Sequence, residues 1–125
     1  MAEESKYHEV KRGQRVIGRI VSIRGHCNWG MEVGDEFELS AMSTGGLCSY
    51  LYYNIYPYVM TLQFGGGFPD EYPWAGDRLE FICPDVINAA RIQIRPEGVD
   101  PARHPNYLKD EEEEEERWRK KFGKD

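Results

Sequence analysis

The segment Arg15–Arg24 constrains the fold more than any other part of this 125-residue chain. It is rich in β-branched residues, with Ile17, Val21 and Ile23 on one face, Val16 and Ile20 on the other, and only Gly18 as an interruption. Apolar side chains on both faces of one extended run predict a strand buried on both sides.

The rest of the chain supplies the partners such a strand needs. Val33-Gly34-Asp35-Glu36-Phe37-Glu38-Leu39 has a turn followed by alternation, with Val33, Phe37 and Leu39 apolar against acidic neighbours, predicting a second, half-exposed strand. From near Gly46, Leu47, Leu51, Ile55, Val59 and Leu62 recur at helical spacing, with Tyr50 and Tyr58 beside them on the apolar face. Pro57 lacks an amide donor and crowds the carbonyl of Tyr53, so a kink or two short helices are expected there. After a Gly65-Gly66-Gly67 loop, Arg78–Ile82 and Ala90–Arg95 alternate again and predict a hairpin, with Cys83-Pro84-Asp85 ending its first strand. The expected class is α+β: a small, twisted, mainly antiparallel sheet of four or five strands, with curling toward a barrel as a variant, packed on one kinked aromatic helix.

Three regions are expected: a flexible polar arm over 1–14, one α+β domain over 15–96, and a linker with a charged, helical tail over 97–125. The tail holds seven consecutive acids from Asp110 to Glu116, followed by Arg117, Arg119, Lys120 and Lys121. Pairs such as Glu113 with Arg117 and Glu115 with Arg119 fit a solvated helix whose apolar face is only Trp118 and Phe122. Net charge is −6. This leaves no excess of positive charge for phosphates, so no nucleic acid partner is expected. No apolar run is long enough to span a bilayer, and the beginning of the chain lacks the basic-then-apolar pattern of an export signal. A cytoplasmic protein without membrane partners is the expectation. The glycine triplet is not followed by Lys-Ser/Thr, so no nucleotide site is expected.

Cys27, Cys48 and Cys83 form an odd set, which argues against a disulfide framework. Each falls at the end of an expected element, where sites are built, and a helix N-terminus at Cys48 would favour its thiolate. With His26 they provide a Cys₃His donor set suited to zinc or iron. Their separations of 21 and 35 residues contain no Cys-x-x-Cys knuckle, so the fold would have to assemble the site. Adjacent His26 and Cys27 would point opposite ways on an extended segment. Metal binding, thiol chemistry without metal, and packing alone all stand as readings.

Five motifs occur in order: Gly25-His26-Cys27, Val33-Gly34-Asp35-Glu36-Phe37, Gly46-Leu47-Cys48, Phe64-Gly65-Gly66 and Cys83-Pro84-Asp85. Through them, residues 15–96 resemble a family of short prokaryotic proteins of mostly uncharacterised activity. The resemblance implies that the three cysteines belong together as a set. It implies no reaction, and it does not extend to the arm or the tail.

Tyr52, Tyr53 and Tyr56 fall on the other side of the aromatic helix from Tyr50 and Tyr58, where they could line a pocket or a subunit contact. The expected function is a small protein with a cysteine-centred site that binds zinc or iron through Cys27, Cys48 and Cys83, with His26 or water completing the shell. If it is an enzyme, Cys48 and Asp85 are the candidate thiolate and acid–base group, acting on a small carbonyl or aromatic compound beside Tyr52, Tyr56 and Trp74. The alternative is an accessory or oligomeric protein whose cysteines are structural. It would contact a second copy or a partner through the aromatic helix or the charged tail.

Overall fold

The computed structural model of the protein describes residues 13–71 and 74–123; the expected arm up to residue 12, and the side chain of Trp74, lie outside the described residues. Element order is β1 (Val16–Ile23), β2 (Glu36–Leu39), α1 (Ser49–Gln63), β3 (Asp70–Glu71), β4 (Trp74–Ala75), β5 (Leu79–Ile82), β6 (Ala90–Pro96) and α2 (Pro105–Phe122). The fold is α+β. Four strands make one antiparallel sheet in the order β2-β1-β6-β5, and β3 and β4 pair separately. The sheet is open, so the barrel variant is not adopted.

One face of the sheet carries Val16, Ile20, Leu79, Ile92 and Ile94, all fully buried against Leu51, Ile55, Val59 and Leu62 of α1. Gly18 sits in this layer because a Cβ there would come within 2.8 Å of Leu39 and 3.0 Å of Ile92. The register between β1 and β6 shifts between Ile20 and Ser22. This bulge reverses the parity of the strand, so Ile23 joins the core with Ile20 instead of sharing a face with Ile17 and Val21.

α1 is one helix from Ser49 to Gln63 with Pro57 inside it, not two short helices meeting there. The tyrosines divide differently from the sequence expectation. Tyr52 is buried and Tyr50 is 60% exposed, because the buried stripe runs through Leu51, Tyr52, Ile55, Val59 and Leu62. Tyr50 lies on the flank of that stripe.

The opposite face of the sheet is polar yet buried. Arg91, Gln93 and Arg95 alternate with the core residues of β6 and are 6%, 0% and 8% exposed. Gln93 donates to the Pro101 carbonyl and Arg95 to that of Val99, so the segment after β6 folds back over its own strand. α2 continues this cover. Glu111, Glu114 and Glu115 reach Arg91, Glu115 also takes Arg24, and Arg103 joins Glu111 to Glu80 on β5. Glu115 therefore pairs with the sheet and not with Arg119, which bonds Glu116 instead. The acidic run is half solvated and half engaged, because the arginines beneath it need counter-charges once water is excluded. Among the described residues no helix is long and apolar enough to cross a membrane.

Candidate functional site

The three cysteines reach the same place from three elements. Cys27 follows β1 in a turn closed by the Gly30 amide donating to its carbonyl at 2.9 Å. Cys48 is the N-cap of α1, and its side chain makes no capping hydrogen bond. Cys83 continues β5 and donates its amide to the Ala90 carbonyl at 2.8 Å. All three line one cavity of about 260 Å³. Trp29, Met31 and Tyr50 form its apolar wall, with Asn28, Asp85 and Asn88 at its polar edge.

Cys27 and Cys48 are half-buried and Cys83 is buried. Burial pushes the Cys83 thiol up, and the neighbouring Cys48 and Cys27 add to the rise because a second negative charge nearby is unfavourable. The Asp85 amide donates to the Cys83 sulfur at 3.4 Å and partly opposes this by favouring the thiolate. Among the described residues, no three or more His, Cys, Asp or Glu side chains are grouped so that they could hold a metal ion. The sulfurs therefore share a cavity without being drawn together around a point.

Asp85 stands at the cavity edge, but its carboxylate is already engaged. It accepts from the Asn88 amide at 3.4 Å and the Asn88 side chain at 2.9 Å, and these bonds hold it below the usual carboxylate range. Its carbonyl takes the Ala89 amide, and Ala89 adopts a positive φ of 50° to close the turn. Asn88 in turn holds the β1 end: its carbonyl accepts from Arg24 and Gly25, and its side-chain oxygen from the His26 amide at 3.2 Å. His26 is exposed and does not line the cavity.

Tyr52 and Tyr56 lie elsewhere. With Thr44, Ser49, Tyr53, Asn54 and Pro57 they line a second cavity of about 550 Å³, which shares no residue with the first. The Tyr52 hydroxyl donates to the Ser40 carbonyl and the Tyr56 hydroxyl to that of Ala41, pinning the loop after β2 onto the helix. Burial pushes the Tyr52 hydroxyl up to about 12. The expected grouping of cysteines with Tyr52 and Tyr56 is thus divided between two cavities, and Tyr50 is the helix tyrosine beside the sulfurs.

Sequence reasoning did not select Trp29, Met31, Tyr50 or Asn88. One signal was available for two of them, since Trp29 and Tyr50 each stand two residues after a cysteine. The turn that carries Asn88 is closed locally by Asp85, but the Arg24, Gly25 and His26 amides that Asn88 holds are more than 60 residues away in sequence, so its role has no local signature. No family model, curated protein or solved structure gives a significant match to this chain.

Proposed function

We propose that Cys27, Cys48 and Cys83 form a single thiol site that takes up a thiophilic metal ion, zinc or iron. The observation that carries this reading is the convergence of all three cysteines of the chain, from separate elements, on one small cavity. Three of the five ordered motifs, those containing Cys27, Cys48 and Cys83, meet there. Thiolates are preferred ligands of zinc and of iron–sulfur chemistry, and three with one open position suit a catalytic or adaptable centre. A metal would draw the sulfurs inward to about 2.3 Å from the ion and displace the Cys83 proton that burial otherwise retains. Water, or Asp85 released from Asn88, would complete the shell more readily than His26, which is outside the cavity.

A second reading rests on the position of Cys48. It opens a 15-residue helix, is half-buried at the cavity, and its side chain makes no capping hydrogen bond, which leaves the sulfur available as a nucleophile. Trp29, Met31 and Tyr50 would then hold a small apolar or aromatic carbonyl compound against it. The contrasting class is an accessory or oligomeric protein with structural thiols, for which the observation is Tyr53, 82% exposed on α1.

Metal analysis of anaerobically purified protein, with thiol titration of the same sample, separates the three. About one ion per chain with thiols protected until chelator is added supports the metal site. One fast thiol without metal identifies the nucleophile, and three slow thiols without metal mean packing.

A further inference from the structure

We infer that the C-terminal helix governs the thiol cavity through Arg24. This inference rests on reading the cysteine cavity as a site, and it concerns how that site is held in shape.

Arg24, just past β1, is shared between the helix and the cavity wall. Two of its guanidinium nitrogens grip the Glu115 carboxylate at 2.8 Å each, and its plane lies 3.9 Å from the ring centroid of Trp118. The third nitrogen donates to the carbonyls of Val86 and Ile87. Those carbonyls belong to the turn between Cys83 and Ala90, which carries Asp85 and Asn88 at the cavity edge. The Arg24 amide also donates to Asn88, and the following residues lead directly to Cys27. One side chain therefore ties α2 to both chain segments that present Cys27 and Cys83.

α2 is suited to being a movable support. It has no buried residue, and besides Trp118 on Arg24 it reaches the sheet through long charged side chains, Glu111, Glu114 and Glu115 facing Arg24 and Arg91. Such contacts hold α2 only while both partners are present, whereas α1 is seated on the sheet by a buried apolar stripe; at 13% and 22% exposure the Arg24–Glu115 pair is only weakly screened by salt. When α2 loosens, Arg24 loses the partners that hold its fork in plane and the turn loses its brace. The cavity then opens toward Cys83. Val86 and Ile87, exposed at the tip of that turn, offer little packing to retain it.

The test is the rate at which a soluble aromatic disulfide reagent modifies each cysteine of the full chain, with sites assigned by mass spectrometry. In wild type the Cys83 rate should change little between about 0.05 and 0.5 M NaCl, because a pair held this far from water is weakly screened. Glu115→Gln should be at least about fivefold faster, as expected for removal of a local closing contact. Arg24→Lys, which keeps the charge but not the fork, should behave like Glu115→Gln. Glu111→Gln, which loosens α2 at Arg103 and Arg91 but leaves Glu115 and Trp118 on Arg24, should accelerate Cys83 clearly less than Glu115→Gln. Unchanged rates in the Arg24 and Glu115 variants, or equal acceleration by Glu111→Gln, would overturn the route through Arg24. The rates are read after chelator treatment, because a bound zinc or iron would itself protect the thiols; failure here then speaks to the route through Arg24 and leaves the metal reading to the elemental analysis.

Discussion

Glu115 and Arg24 are 91 residues apart in sequence and meet through two hydrogen bonds of 2.8 Å, carboxylate to guanidinium, on the face of the sheet away from α1. The pair is only 13% and 22% exposed at its arginine and glutamate ends, and Arg91 adds a third bond to the same carboxylate at 3.1 Å. A face of alternating arginines thus becomes interior because the acidic helix neutralises it.

Removing the acid should leave two guanidinium groups short of a partner. Glu115→Gln is expected to lower stability by about 2 kcal/mol, less than a fully buried pair because water reaches the site. Urea denaturation checks this, and an unchanged midpoint would show that the Glu115 carboxylate contributes nothing to the folded state.

Acid should have the same effect on the wild type. Arg24, then burial acting in the opposite sense, then Arg91 set the Glu115 carboxyl below its ordinary value of 4.5. A depressed folded value means the stabilisation is complete above about pH 4.5 and is lost as pH falls through the lower folded value. Melting curves between pH 6 and 3 should fall more steeply for wild type than for Glu115→Gln, and parallel curves would contradict the assignment.

At the alkaline end, Tyr52 should limit stability. Its hydroxyl is buried against the Ser40 carbonyl and pushed up to about 12, above an ordinary value of 10.0. The neutral form is the one the fold favours, so its contribution is intact below pH 10 and lost as pH rises from 10 towards 12. Tyr52→Phe should flatten stability over that range while giving up roughly 1 kcal/mol at neutral pH for the lost hydrogen bond. An equally steep alkaline loss in the variant would place the cause elsewhere.

Two glycines test the packing that brings the cysteines together. At Gly18 a Cβ would press on Leu39 and Ile92, both flexible ends, so Gly18→Ala should cost about 1–2 kcal/mol without moving the cavity. At Gly25 a Cβ would collide with the Asn88 side-chain oxygen and crowd its Cα at 3.3 Å. Gly25→Ala should therefore displace Asn88 and raise the reactivity of Cys27 and Cys83, which Gly18→Ala should leave alone. Equal thiol rates in the two variants would separate the Asn88 turn from the site.

Much of this architecture is legible in the residues alone. The two-sided burial of β1, the hairpin of β5 and β6, and the helical spacing from Leu51 to Leu62 are local patterns, and the sheet and α1 follow from them. Two things are not local. The bulge after Ile20 is set by pairing with β6, and it moves Ile23 to the other face. The cover over Arg91, Gln93 and Arg95 comes from a segment whose composition reads as solvated, because charge pairing across 91 residues leaves no periodic trace. The thiol site was half visible: the cysteines stand out as a set, while their wall of Trp29, Met31 and Tyr50 depends on how three element ends are brought together. Tyr52, with its greater burial, belongs to the other cavity for the same reason.

The central claim is that three separated cysteines act as one metal-binding site. Elemental analysis of the anaerobically purified protein, repeated after zinc titration and in Cys83→Ala, tests it most directly. The alanine variant should lose only roughly 1 kcal/mol of packing, so it remains folded and isolates the ligand effect. The account predicts about one zinc or iron per chain in wild type, thiols that react only after chelation, and loss of both properties in Cys83→Ala. Metal well below stoichiometry before and after titration, with three thiols reacting independently of chelator, would contradict it.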